Sequence, residues 1–308
     1  MLGPALLTAS RSPRIRRLVT DAPGSRRLVQ RFVVGETLDE ALDATTRLVG
    51  DGLAVTLDHL GEDTLDVKRA AATRETYVAL LGRLADNGLA AQAEVSLKLS
   101  AVGQALPRGG HDTALENARV ICAAAHRAGT TVTLDMEDHT TVDSTLGVLR
   151  ELRVDFPGTG AVVQSCLRRT AADCRDLSGA GSRVRLVKGA YAEPDSVAYP
   201  DKADVDRAYV RCLKILMAGD GYPMVASHDP RMITLAGVLA ERHGRASGSH
   251  EYQMLHGIRA GEQRRLAAAG ERVRVYVPFG ADWYGYFMRR LAERPANVRF
   301  FLRSLVTR

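Results

Sequence analysis

The chain has 308 residues, 45% of them hydrophobic and 25% charged, with a formal net charge of +6. That balance suits a soluble globular protein with room for a sizeable core, and no run approaches the roughly 18 consecutive apolar residues of a membrane-spanning helix. With 5% aromatic residues and nothing like a groove-reading helix, the positive charge does not point to nucleic acid.

The first fifty residues carry helical signals and no strand. "RSPRIRRLVTDAPGSRRLVQR", from Arg11 to Arg31, holds seven Arg against one acidic residue, Asp21. A pair of short helices with solvated basic faces is the plainest reading; contact with an anionic membrane surface and a targeting segment are the alternatives. Residues 1–50 read as an N-terminal helical arm.

From residue 53 an apolar, β-branched run that ends in polar residues alternates with a helical stretch. The runs are "LAVTLDH" from 53, "EVSLKLS" from 94, "TVTLDMED" from 131, "AVVQSCL" from 161, "RVRLVKGAY" from 183, "YPMVASHD" from 222, "HEYQML" from 250 and "RVRVYVPFG" from 272. Strands alternating with helices imply parallel βα units. Eight of them fit a (β/α)8 barrel of TIM type, usually about 250 residues long. A doubly wound sheet would want a Gly-rich phosphate turn, and no GxGxxG follows any strand. Residues 51–308 therefore read as one barrel domain. Cys122, Cys166, Cys174 and Cys212 fit neither a disulfide framework nor a CxxC metal motif, which suits reduced core residues of a cytoplasmic protein.

In such a barrel the site lies at the C-terminal strand ends. Those ends carry Asp58 and His59, Lys98 and Ser100, Asp135, Glu137 and Asp138, Gln164, Lys188, and Ser227, His228 and Asp229; the opposite ends read as mostly ordinary. Only five residues are Lys, and two of them are here. Each has a plainer reading as well: a structural ion pair for Lys98, a helix-start cluster for Asp135 to Asp138, an N-cap neighbour for His228. Arg185 lies mid-strand, where a guanidinium needs a partner; a bound anion or cofactor would be one. The last helical stretch, "YGYFMRRLAER" from 284, puts Tyr286, Arg290 and Glu293 on one face, with Arg289 four residues before Glu293. A surface salt bridge explains this simply. Paired guanidinium groups also suit a carboxylate.

The ordered motifs "EVSLKLS", "LDMED", "VVQSCLRR", "RLVKGAY", "SHDP", "EYQMLHG" and "YFMRRLAERPAN" resemble the flavin-dependent proline dehydrogenase family across the whole barrel. The resemblance implies a distorted barrel with its final helix over the mouth, holding FAD without a Rossmann fold. It implies oxidation of L-proline to Δ1-pyrroline-5-carboxylate by hydride transfer to FAD, with electrons passed to a quinone at the membrane. It also implies a separate pyrroline-5-carboxylate dehydrogenase acting next, and a cytoplasmic protein in peripheral contact with the inner membrane face. Carried onto this chain, Arg289 and Arg290 would clamp the substrate carboxylate, with Lys98 below and Glu293 orienting the pair. Tyr286 would pack beside the proline ring. Asp135 and Arg185 would be the catalytic positions. Met136, Gln164, Arg185, Lys188, Gly189, Ala190, Ser227 and His228 would hold the cofactor. Cys166 departs from the residue that relatives carry there.

Two other enzyme readings weigh against this one. A Schiff-base aldolase would use Lys98 or Lys188, but leaves Arg289, Arg290 and Gln164 without a role. A metal-dependent hydrolase built on Asp135, Glu137, His139 and His228 lacks a tight HxH or HExxH motif.

Overall fold

The eight β-branched runs form eight parallel strands, each hydrogen-bonded to the next, with the last paired to the first to close a barrel. The structure is a computed structural model and describes residues 29–293. Helix α1 (Leu38–Gly50) precedes strand β1 (Ala54–His59). Then follow α2 (Val67–Asp86), β2 (Ala93–Leu97), α3 (Gly110–Ala128), β3 (Val132–Leu134), α4 (Val142–Asp155) and β4 (Gly160–Gln164). Next come α5 (Thr170–Asp176), β5 (Arg183–Val187), α6 (Lys202–Ala218), β6 (Tyr222–Ala226), α7 (Pro230–Arg242) and β7 (Glu251–Leu255). The chain continues through α8 (Ala260–Ala268), β8 (Val273–Phe279) and α9 (Trp283–Glu293). A short 3-10 helix, Leu99–Val102, follows β2. The Arg-rich stretch lies mostly outside the described residues.

Two features depart from a regular barrel, and both concern the ends of the cycle. Helix α1 starts with a capping box, in which Thr37 and Glu40 satisfy each other's amides. It packs against β1 and β8, the flank where the helix after β8 would normally lie. Helix α9 instead turns over the mouth. Its apolar residues Trp283, Phe287, Met288 and Leu291 pack with Val29, Phe32, Val33 and Leu60 in a small second core. One face of α9 is thus anchored, and the other is left to face the strand ends.

Strand alternation sorts the remaining side chains. Outward residues such as Val55, Leu57, Val95, Leu97, Val275 and Val277 are fully buried against the helices. The inward residues are strongly polar, where barrel interiors are usually filled by branched apolar layers. Glu94 on β2 meets Arg183 on β5 at 2.6 Å, and Glu251 on β7 meets Arg274 on β8 at 2.7 Å. The N-terminal strand ends, which read as mostly ordinary in the sequence, are therefore not so. They hold a buried layer of ion pairs, because residues two before Ser96, Arg185, Gln253 and Tyr276 share their inward face.

Candidate active site

Asp135, just past β3, is the hub of the upper layer. Its carboxylate accepts from Tyr276 OH at 2.6 Å, Ser96 Oγ at 2.7 Å and Arg185 Nη1 at 2.9 Å, with Lys98 Nζ at 3.5 Å. Arg185 also donates through Nη1 to Ser96 Oγ at 2.9 Å and through Nε to Gln253 Oε1 at 2.5 Å. Its guanidinium lies over the Tyr276 ring, 5.3 Å from the centroid. Arg185 therefore has protein partners. Lys98 donates to Asp58 Oδ2 at 2.7 Å from the end of β1, and both residues are buried.

The charges set one another. Burial pulls Lys98 down, but Asp58, Tyr276 and Asp135 together hold it well above the usual lysine range. Burial pushes Asp135 up, but Lys98 and Arg185, with hydrogen bonds from Tyr276 and Ser96, keep it below the usual carboxylate range. Asp58, fully buried with fewer donors, is pushed up by burial despite Lys98. So Asp135 is a firmly ionised carboxylate, and Lys98 is a firmly protonated ammonium. A lysine held charged in this way is a poor Schiff-base nucleophile, which needs a free amine.

The rim adds a second set. Arg289 on α9 makes a two-pronged ion pair with Glu62, on the loop after β1, with one contact at 2.9 Å. Its guanidinium lies 5.7 Å from the Tyr191 ring centroid, and that of Arg290 lies 5.0 Å from the Tyr286 centroid. The side chain of Glu293 lies outside the described residues. On the far side, Lys188 pairs with Asp206 and, at 3.0 Å, with Asp229, which caps α7 ahead of Pro230. His228 Nε2 accepts from the Leu255 amide at 2.9 Å. Gln164 donates to the Glu137 carbonyl at 2.8 Å.

Between these sets lies a cavity of about 590 Å³, lined by Lys98, Asp135, Met136, Gln164, Arg185, Lys188, Gly189, Ala190, Ser227, His228, Tyr286, Arg289 and Arg290. The cavity lining thus includes every residue that the family resemblance marks for substrate or cofactor except Glu293, while Asp58, His59, Ser100, Glu137 and Asp138 from the strand ends do not line it. The cavity also has apolar walls from Val162, Val187, Ala226, Met254 and Leu255. Gly189 explains its place in "VKGAY": its φ is +111, and a Cβ there would stand 2.3 Å from Cys166 Sγ. An apolar slot edged by a guanidinium, an amide and backbone suits a flat heteroaromatic ring with polar edges.

A family comparison now bears on this mouth. The sequence model described as "Proline dehydrogenase" matches residues 41–303. The chain belongs to the proline dehydrogenase family. A relative named "Proline dehydrogenase" from Deinococcus radiodurans is 41% identical over 304 residues, covering 98% of this chain and 97% of its own. "Proline dehydrogenase 1" from Bacillus subtilis is 38% identical, covering 92% of this chain and 93% of its own. Among solved structures, proline utilization A from Bdellovibrio bacteriovorus, inactivated by N-propargylglycine, superposes with a TM-score of 0.80 at 27% identity. The match covers 87% of this chain and 33% of that much longer one.

Sequence reasoning missed Glu62, Ser96, Tyr191, Gln253 and Tyr276. Three of these had a signal: Ser96, Gln253 and Tyr276 lie in period-2 register with Lys98, Glu251 and Arg274 on inward faces. Glu62 and Tyr191 sit on loops, where no periodicity applies. The hydrolase set does not assemble. His139 instead engages Glu193, and among the described residues no group of three or more His, Cys, Asp or Glu could hold a metal ion.

Proposed function

We propose that this chain oxidises L-proline to Δ1-pyrroline-5-carboxylate, with FAD in the barrel mouth and a quinone as the final electron acceptor. The observation that carries the reading is the cation set of Lys98, Arg185, Arg289 and Arg290 around one cavity in a chain of this family. A flavin bound there supplies a two-electron acceptor for the hydride that leaves the proline ring.

The chain's own residues supply orientation and charge. Arg289 and Arg290 approach from α9 and would hold the carboxylate in a forked grip, with Lys98 a third cation from the barrel floor. Tyr286, on the same face of α9, would pack beside the ring and limit its substituents. Fixing a substrate by its carboxylate turns much of the barrier into prearranged geometry. Asp135 is surrounded by donors and held below its usual range, which makes it a poor proton acceptor. Its role in this reading is to aim Arg185 at the cofactor, where a fixed cation favours electron-rich, reduced states. Met136, Gln164, Lys188, Gly189, Ala190, Ser227 and His228 complete the cofactor's surround. Lys188, neutralised by Asp206 and Asp229, contributes hydrogen-bond direction more than net charge.

Among the described residues no helix is long and apolar enough to cross a membrane. The reading places the protein in the cytoplasm, in peripheral contact with the inner membrane face where quinone resides. A separate pyrroline-5-carboxylate dehydrogenase would consume the product.

The visible spectrum of the purified protein tests the proposal. Flavin bands near ~450 nm that bleach on anaerobic addition of L-proline are expected. A yellow protein that proline leaves unbleached would overturn the substrate. A protein that stays colourless after added FAD would overturn the cofactor.

A further inference from the structure

Glu62 meets Arg289 from residues 60–66, a connection that has neither strand nor helix. Its first residue, Leu60, is held by the Phe279 carbonyl, and a buried serine holds its middle. Ser100, in the 3-10 turn after β2, is 3% exposed. Its hydroxyl accepts from the Asp63 amide at 3.1 Å, and its carbonyl accepts from the Thr64 amide at 3.0 Å. On the other side, the Ser100 amide donates to Glu137 Oε1 at 3.1 Å, and its hydroxyl donates to Glu137 Oε2. Glu137 is itself buried, and its carbonyl is held by Gln164.

Asp63 adds a smaller sign of constraint. Its φ is +52, a left-handed conformation uncommon outside glycine, although Asp adopts it more readily than most residues. This residue directly follows Glu62. Two amides of the loop and both oxygens of one carboxylate thus converge on a single residue that does not line the cavity.

We infer that Ser100, backed by Glu137, is a positioning residue that clamps residues 60–66 so that Glu62 can hold Arg289, and so sets how tightly the mouth grips a substrate carboxylate. The inference deepens the proline-oxidation reading and rests on it for the substrate. It reaches Arg289 through three contacts in series: Glu137 to Ser100, Ser100 to Asp63 and Thr64, and Glu62 to Arg289.

A double-mutant cycle separates this role from a merely structural one. Ser100→Ala, Glu62→Gln and the double variant are compared for proline KM, kcat and flavin content, and for hydrogen exchange of residues 60–66. Ser100→Ala is expected to raise KM roughly tenfold, the loss typical of one hydrogen bond to a charged group, with flavin retained and faster exchange at 60–66. In the Glu62→Gln background it is expected to add no further rise. Additive KM effects, or unchanged exchange, would overturn the inference. Should Ser100→Ala fail to fold, Glu137→Gln enters the same cycle with the same expectations, read above pH 7, where Glu137 is the carboxylate and the amide keeps its volume but only one acceptor. Should proline fail to bleach the wild-type protein, the activity reading falls alone. Exchange at 60–66 in Ser100→Ala against wild type then decides the clamp by itself: faster exchange supports it, and unchanged exchange overturns it.

Discussion

Arg289 and Glu62 stand 227 residues apart in the chain and face each other across the barrel mouth as a two-pronged ion pair. Burial lowers the Arg289 guanidinium, but Glu62 more than offsets this and raises it further above its usual range. The pair sets the direction of the Arg289 fork. Glu62→Gln is therefore expected to raise the KM for proline roughly tenfold, while flavin content stays the same. Steady-state kinetics with matched flavin spectra would check this. An unchanged or lower KM would mean that Glu62 competes with the substrate for Arg289 instead of orienting it.

Arg289 and Arg290 approach the cavity from α9, while the proposed cofactor residues come from β3 to β6 and their loops. Replacing both with Met keeps the stems that cover the mouth and removes both charges. Proline binding is expected to weaken by about a hundredfold or more, the scale for losing buried charge contacts, with flavin still bound. Loss of the yellow colour in this variant would assign the pair to the cofactor.

The parts of this design legible in the sequence are those with a period. Alternating βα segments mark all eight strands, and polar residues at the strand ends mark Lys98, Asp135, Gln164 and Lys188. The buried lower layer of Glu94, Arg183, Glu251 and Arg274 is also in register, but a charge in a strand reads equally well as an outward residue until the barrel closes. The partners on loops are illegible for a different reason. Glu62 reaches Arg289, and Ser100 reaches Asp63, only because the closing helix α9 and the 3-10 turn lie where tertiary packing puts them. Motif spacing offers Glu293 beside Arg289 because i,i+3 and i,i+4 contacts are the ones visible along a helix, and the Glu293 side chain lies outside the described residues.

Lys98 and Asp58 form a buried pair at 2.7 Å, so removing one partner strands the other. Lys98→Met is expected to cost about 3–5 kcal/mol of stability, the penalty for an uncompensated buried charge, and to raise the proline requirement. Adding Asp58→Asn is expected to recover most of the stability, because the stranded carboxylate is gone. It is not expected to recover proline affinity, because the cation is still missing. Urea midpoints and KM values for the two variants would separate the contributions. Recovery of both together would make Lys98 structural only.

Glu137 gives a pH dependence whose sign is set by burial. Burial pushes its carboxyl up to about 7 from 4.5, against the two Ser100 hydrogen bonds that pull it down. The folded state therefore keeps a proton that the unfolded chain has lost. This contribution to stability is complete below the unfolded value and disappears as pH rises through about 7. His59, His250 and His256 act in the opposite sense. Burial lowers each of them, so their contribution is present above about pH 6.5 and lost as pH falls. These histidines are common to the wild type and Glu137→Gln, and their effect cancels in the difference. The stability of the wild type relative to Glu137→Gln is thus expected to fall by up to about 3 kcal/mol as pH rises from about 4.5 to above 7. Urea unfolding of both proteins across that range would read it. A flat difference would mean that Ser100 outweighs burial and keeps Glu137 ionised in the folded protein throughout.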